Sequence, residues 1–175
     1  MSAAEILLIG YGNPGRLDDG LGPAAAAAIE ALRLPAVAVD SDYQLTVEDA
    51  EAAARHRVAI LVDAAEVGPE PFCVRRLAPG RELSFSTHSV SPEAVIGMAH
   101  SLFGSDVVGY VVGVRGDEFN AFDERLSERA KANLDEAVAY LSRVLALDVD
   151  ALRNELDRRS AATAEGENPC KTANT

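Results

Sequence analysis

Tryptophan is absent from this chain of 175 residues, and cysteine occurs only twice. Cys73 falls in an apolar-alternating stretch and Cys170 in a polar tail, so neither a disulfide framework nor a cysteine metal cluster is expected, and a reducing compartment fits best. No apolar run approaches the ~20 residues that a membrane-spanning helix needs. The opening residues lack a basic region or small-residue cleavage site ahead of the apolar run 6–9, which reads as a first strand. Basic residues are scarce, 16 Lys and Arg against 28 Asp and Glu, which leaves a net charge of -12. That balance opposes a phosphate backbone at long range, and the pairs Arg75-Arg76 and Arg158-Arg159 are too sparse to make a basic patch. The expectation is a cytoplasmic protein that binds neither nucleic acid nor membrane.

What is present reads as one domain, large enough to bury a continuous core without staples. Residues 5–10 form an apolar run ended by a glycine-rich turn, and the alanine-rich segment after Gly22 has helix propensity to about Leu32. A second strand spans 35–40 and ends in Asp40-Ser41-Asp42. Thr46 with Asp49 three residues on is a variant capping box that opens the next helix. Residues 58–62 are unbroken apolar, the mark of a strand buried on both faces at the sheet centre and ending at Asp63. Residues 71–77 alternate imperfectly and predict an edge or antiparallel strand. Ser91-Pro92-Glu93 opens a helix, 107–114 reads as the last strand, and a long amphipathic helix runs from near Asp123 to Leu145. The domain is expected to cover 1–158, with 159–175 too polar to pack and left as a disordered tail.

Strands alternating with helices predict a layered α/β domain, a mainly parallel sheet with helices on both faces and one less regular strand. Ligands of such sheets bind outside the carboxyl ends of the strands. There the chain carries Asn13 with Asp18-Asp19, then Asp40, then Asp63, and Thr87-His88-Ser89 precedes the Ser91 helix. Carboxylates plus one imidazole make an oxygen and nitrogen donor set for a borderline divalent metal such as zinc or nickel. The turn Gly10-Tyr11-Gly12-Asn13-Pro14-Gly15 has the glycine spacing of a dinucleotide site, yet Asp18 and Asp19 follow it, and carboxylates at a helix start repel a pyrophosphate. Blander roles stand beside these: Asp18 as a helix-start carboxylate, Asp63 as a turn cap, and His56 and His100 as charges at helix ends. Neither a Gly-x-Ser-x-Gly elbow nor a Cys-His pair is present, so covalent hydrolysis lacks a nucleophile.

Gly10-Tyr11-Gly12-Asn13, Asp18-Asp19-Gly20-Leu21-Gly22, Val62-Asp63-Ala64 and Thr87-His88-Ser89-Val90-Ser91-Pro92-Glu93, in this order, resemble the hydrogenase maturation endopeptidases. The resemblance implies a three-layer αβα sandwich of the phosphorylase/hydrolase-like kind, its mostly parallel sheet containing one antiparallel strand. It implies a monomeric endopeptidase that removes the C-terminal extension of a nickel-iron hydrogenase large-subunit precursor after metal insertion. Nickel, supplied by the precursor, would be held by Asp19, Asp63 and His88, while Asp40 would orient or activate the attacking water. The chain departs from the family pattern at two places, of which the first bears on partner choice. Family members often carry Asp-Gly-Gly-Thr where this chain has Asp40-Ser41-Asp42-Tyr43, and Pro14-Gly15 is closer to the turn of bacterial peptidyl-tRNA hydrolases, whose Arg-His-Asn cluster is missing here. A non-catalytic binding protein for hydrogenase maturation is the competing reading, and a peptidyl-tRNA hydrolase-like enzyme a third.

Overall fold

The structure, a computed structural model, describes residues 3–79, 90–166 and 170–173. Among the described residues there are six strands: β1 (Ile6–Tyr11), β2 (Val37–Asp42), β3 (Val58–Val67), β4 (Phe72–Arg76), β5 (Val108–Arg115) and β6 (Lys171–Thr172). Five helices accompany them: α1 (Leu21–Glu30), α2 (Val47–Ala54), α3 (Pro92–Phe103), α4 (Glu128–Val144) and α5 (Val149–Ala164). The strands form one sheet in the order β2-β1-β3-β5-β4, with β6 added to β3. β2, β1, β3 and β5 are mutually parallel, whereas β4 runs antiparallel to β5 and β6 antiparallel to β3. No helix among the described residues is long and apolar enough to cross a membrane.

Because side chains alternate across a strand, the sheet divides its apolar residues between two cores. Ile6, Leu8, Ile60, Val62, Val74 and Val112 face α1, α4 and α5. Leu7, Ile9, Leu61 and Val111 face α2 and α3, where Ala50, Ala53, Val95, Met98 and Ala99 meet them. Residues 58–65 of β3 are all buried, as the unbroken apolar run predicts for the central strand. Helix starts follow the expected chemistry. Thr46 N–H donates to Asp49 Oδ2 at 2.6 Å, and Ser91 Oγ accepts from Ala94 N–H at 3.2 Å.

Three expectations need correction. First, β3 does not stop at Asp63; it continues to Val67, because β5 stays paired through Ala65 and β6 takes over the opposite edge. Second, the region expected to be a structureless tail is ordered up to Gly166. Asp148 caps α5 by accepting from Ala151 N–H at 2.9 Å, and Val149, Leu152 and Leu156 pack into the core. Composition missed this helix because only those three of its apolar side chains are fully buried, too few to show as a continuous apolar stripe, while Asp157 and Ser160 anchor it by polar bonds to Tyr110 and Arg76. Third, the last strand is β6, and it brings the two cysteines together in a Cys73–Cys170 disulfide with Cα atoms 6.0 Å apart. Linear separation of 97 residues concealed that pairing.

Candidate functional site

The β1–α1 turn is built by close approach. A Cβ on Gly22 would collide with the carbonyl oxygens of Tyr11 and Val62, so only glycine lets the start of α1 sit against β1 and β3. Gly12 has φ 137°, a conformation that side chains resist. The glycine spacing that resembles a nucleotide fingerprint therefore serves helix-on-sheet packing. Between turn and helix lies a 3-10 turn, Leu17–Gly20, that packs against β3. Leu17 adopts φ 49°, strained for a residue with a side chain and worth roughly 1–2 kcal/mol. Backbone bonds to the β5–α4 loop hold it there: Leu17 N–H donates to Asp123 O at 2.8 Å and Asp18 N–H to Glu118 O at 3.0 Å.

The turn gives the two adjacent aspartates different partners. Asp18 is fully buried, and its carboxylate accepts from Asp117 N–H (2.8 Å), Glu118 N–H (2.8 Å), Ser127 N–H (2.7 Å) and Ser127 Oγ (2.7 Å). Burial alone would raise its pKa, but the donors at Glu118, Ser127 and Asp117 outweigh that and hold it below the usual carboxylate range. Asp18 thus ties the site to the cap of α4, whose N-terminal Ser127 also accepts from Ala130 N–H at 3.1 Å. Asp19 instead turns back over the Asn13 turn, accepting from Asn13 N–H at 2.9 Å, and is 4% exposed.

Asp63 lies on β3 just past the last pairing of that strand with β1, Gly10 opposite Val62. Its carboxylate is wholly buried and accepts from Ala64 N–H at 2.8 Å. Tyr11, the last residue of β1, faces it. Burial, then the Asp63 carboxylate beside the phenol, then Glu93 push the Tyr11 pKa well up, with Arg75 opposing. Glu93, in the first turn of α3, is paired to Arg75 of β4 at 2.6 Å. Tyr11 is thus a neighbour of Asp63, and Glu93 and Arg75 are neighbours of Tyr11; residue types alone did not single these out. Tyr11 was hidden because it stands in the sequence as part of the glycine-rich turn, where the glycines and Asn13 draw the reading, and Arg75 and Glu93 because 18 positions separate them.

Asp19 and Asp63 come to the carboxyl rim of adjacent parallel strands. Asp40 does not share that place: it is exposed on edge strand β2, level with Ile9, and accepts from Ser41 N–H at 2.8 Å. Its electrostatic neighbour is the start of α2, where burial first and then Asp42 and Asp40 raise the Asp49 pKa against hydrogen bonds from Thr46. His88, with Thr87 and Ser89, lies outside the described residues. Among the described residues no three His, Cys, Asp or Glu side chains gather as a metal site. The other histidines have structural partners, His56 Nδ1 at 2.8 Å from Ala52 O and His100 Nε2 at 2.7 Å from Val107 O.

No protein-family model and no curated protein matches this sequence. Solved structures do. The [NiFe] hydrogenase maturation protease HycI from Thermococcus kodakarensis KOD1 superposes with TM-score 0.63 at 23% identity, over 81% of this chain and 92% of its own. The hydrogenase 2 maturation peptidase from Thaumarchaeota archaeon SCGC_AB-539-E09 gives 0.60 at 24% identity, over 82% of this chain and 99% of its own. The hydrogenase maturating endopeptidase HybD from E. coli gives 0.58 at 19% identity, over 97% of this chain and 98% of its own. This chain therefore has the fold of the hydrogenase maturation proteases, an αβα sandwich with a mostly parallel sheet.

Proposed function

We propose that this protein is a hydrogenase maturation endopeptidase acting in the cytoplasm, a peptide-bond hydrolase that shortens the C-terminus of a nickel-iron hydrogenase large-subunit precursor once nickel is in place. The observation that carries this reading is the placement of Asp19 and Asp63 at the carboxyl rim of adjacent strands, on the fold that those proteases share. Nickel enters as part of the substrate. The donor chemistry fits it: two carboxylates supported by backbone N–H groups, with the His88 imidazole as the third ligand, suit a borderline divalent cation. Bound there, the metal supplies Lewis-acid polarisation and orientation of the scissile carbonyl.

The chain's own residues do the rest. Asn13 and Ala64 backbone donors orient the two carboxylates, and Tyr11 presents a neutral phenol to Asp63. Asp40 is assigned to orienting the attacking water from the solvent-exposed edge strand. Its neighbour Asp42, level with Tyr11 rather than Ile9, stands nearer the rim and is the alternative for that role. Requiring a metal that the substrate brings turns nickel loading into specificity, since an unloaded precursor offers no bridge.

The test is mass spectrometry of a nickel-loaded precursor before and after incubation. Wild type should remove a C-terminal peptide, and Asp19→Asn, Asp63→Asn and His88→Ala should each stop the cut while keeping the native circular dichroism spectrum. Cleavage retained in all three would dismantle the ligand assignment. A tight complex with unchanged precursor mass would favour the binding-protein reading.

A further inference from the structure

Beyond Val62, β3 parts from β1 and projects past it to Val67. On one side Ala65 O accepts from Gly116 N–H at 3.0 Å, so that edge belongs to the β5 side. On the other side Ala64 O accepts from Ala173 N–H at 2.8 Å, and Thr172 and Lys171 lie opposite Ala65 and Val67. The chain's own C-terminal segment thus fills, as an added strand, the edge that opens beside Asp63.

What holds it there is the Cys73–Cys170 bond. Gly113 is the register partner of both Asp63 and Cys73, and a Cβ on it would come 2.8 Å from Cys73 Sγ and 3.0 Å from Cys170 Sγ. The disulfide therefore lies over the bare glycine next to Asp63. From Cys170 the segment crosses β3 to reach its far edge. Strand alternation places Asp63, Ala65 and Cys73 on one face, the face that α2 and α3 cover. β6 itself is two residues long, too short to stay paired strongly without a tether.

We propose that this segment is a latched cover, and that the edge beneath it receives an extended peptide by strand addition once the latch is reduced. The peptide part rests on the reading of the protein as an endopeptidase, whose substrate would present its C-terminal extension as that strand. A dithiol reductant supplies the electrons. One of its thiolates attacks Sγ of the half-exposed Cys170, forming a mixed disulfide and expelling the buried Cys73 thiolate, which takes up a proton. The second thiol of the reductant then closes its own disulfide and releases Cys170 as a thiol. In all, two electrons and two protons pass to the protein.

Amide hydrogen exchange on the full chain tests the latch, comparing oxidised protein, protein reduced with dithiothreitol, and Cys170→Ser. Exchange at Lys171, Thr172 and Ala173 should rise at least tenfold in the reduced and Cys170→Ser forms, while amides of α1 and β1 stay unchanged. Equal protection in all three states would overturn the latch. Cleavage of a nickel-loaded precursor should run at least fivefold faster in the same two forms. Open amides with an unaltered cleavage rate would overturn the cover. Absence of cleavage in every form would refute the endopeptidase itself, and the exchange result would still decide the latch.

Discussion

Replacing Asp18 by alanine should destabilise the protein by about 3–5 kcal/mol, the range for removing one member of a buried charged network. The figure follows from its partners: three backbone N–H groups and one hydroxyl, all within 2.8 Å of a carboxylate that solvent does not reach. Hydrogen bonds to a charged group contribute about 1.5–3 kcal/mol each. Four of them would exceed the expected loss, but the variant also removes the desolvation cost of the carboxylate, and water entering the gap satisfies some donors. With a urea slope of about 2 kcal/mol per molar, the unfolding midpoint should fall by roughly 1.5–2.5 M. Asp18→Asn keeps the volume and one acceptor, and should recover part of the loss. The pH dependence carries the sharper test. The folded-state pKa of Asp18 is lowered, so the stabilisation is complete above the unfolded value near 3.9 and is lost as pH falls through the folded value. The gap between wild type and Asp18→Ala, measured by urea denaturation at pH 7 and stepwise below pH 4, should therefore narrow in acid. A loss under about 1 kcal/mol at pH 7, or a gap that does not change with pH, would refute the account of Asp18 as a structural anchor.

Ser127→Ala removes the α4 cap and one donor to Asp18, and should cost about 1–2 kcal/mol in the same denaturation assay. Gly22→Ala forces a methyl into the Tyr11 and Val62 carbonyls; a loss of about 1–3 kcal/mol or more is expected, and a melting temperature within a degree of wild type would contradict the packing described. Tyr11→Phe deletes the phenol that faces Asp63 and should lower precursor cleavage more than tenfold, with the fold kept by near-ultraviolet circular dichroism. Asp40→Asn and Asp42→Asn, compared for cleavage rate, separate the two carboxylates of β2: loss in the first alone supports the assigned water-orienting residue, and loss in the second alone transfers the role to Asp42.

The residues that encode local structure could be read directly. The apolar run 58–62, the capping pair Thr46 and Asp49, and Ser91 ahead of Pro92 each specify their element through contacts within a few positions, and each element formed where those contacts predict. The imperfect alternation around Cys73 likewise identified the antiparallel strand. What escaped depends on distant parts of the chain. Asp18 and Asp19 are chemically the same in the sequence, and their different partners follow from the φ of Leu17, which is fixed by backbone bonds to residues 118 and 123. The continuation of β3 past Asp63 required a partner strand from the other end of the polymer, and the pairing of Cys73 with Cys170 came with it. Acidic residues on β2 looked equivalent to Asp63, yet the sheet order sets them at an edge in solvent.

The location of β6 has a practical side for anyone handling the protein. A purification handle joined shortly after Ala173 would leave from beside the rim where Asp63 is buried, and would crowd whatever docks there. A handle ahead of β1 departs from the opposite end of the sheet, because all four parallel strands begin at that far side. Activity measured with the two placements should differ even if both preparations fold identically.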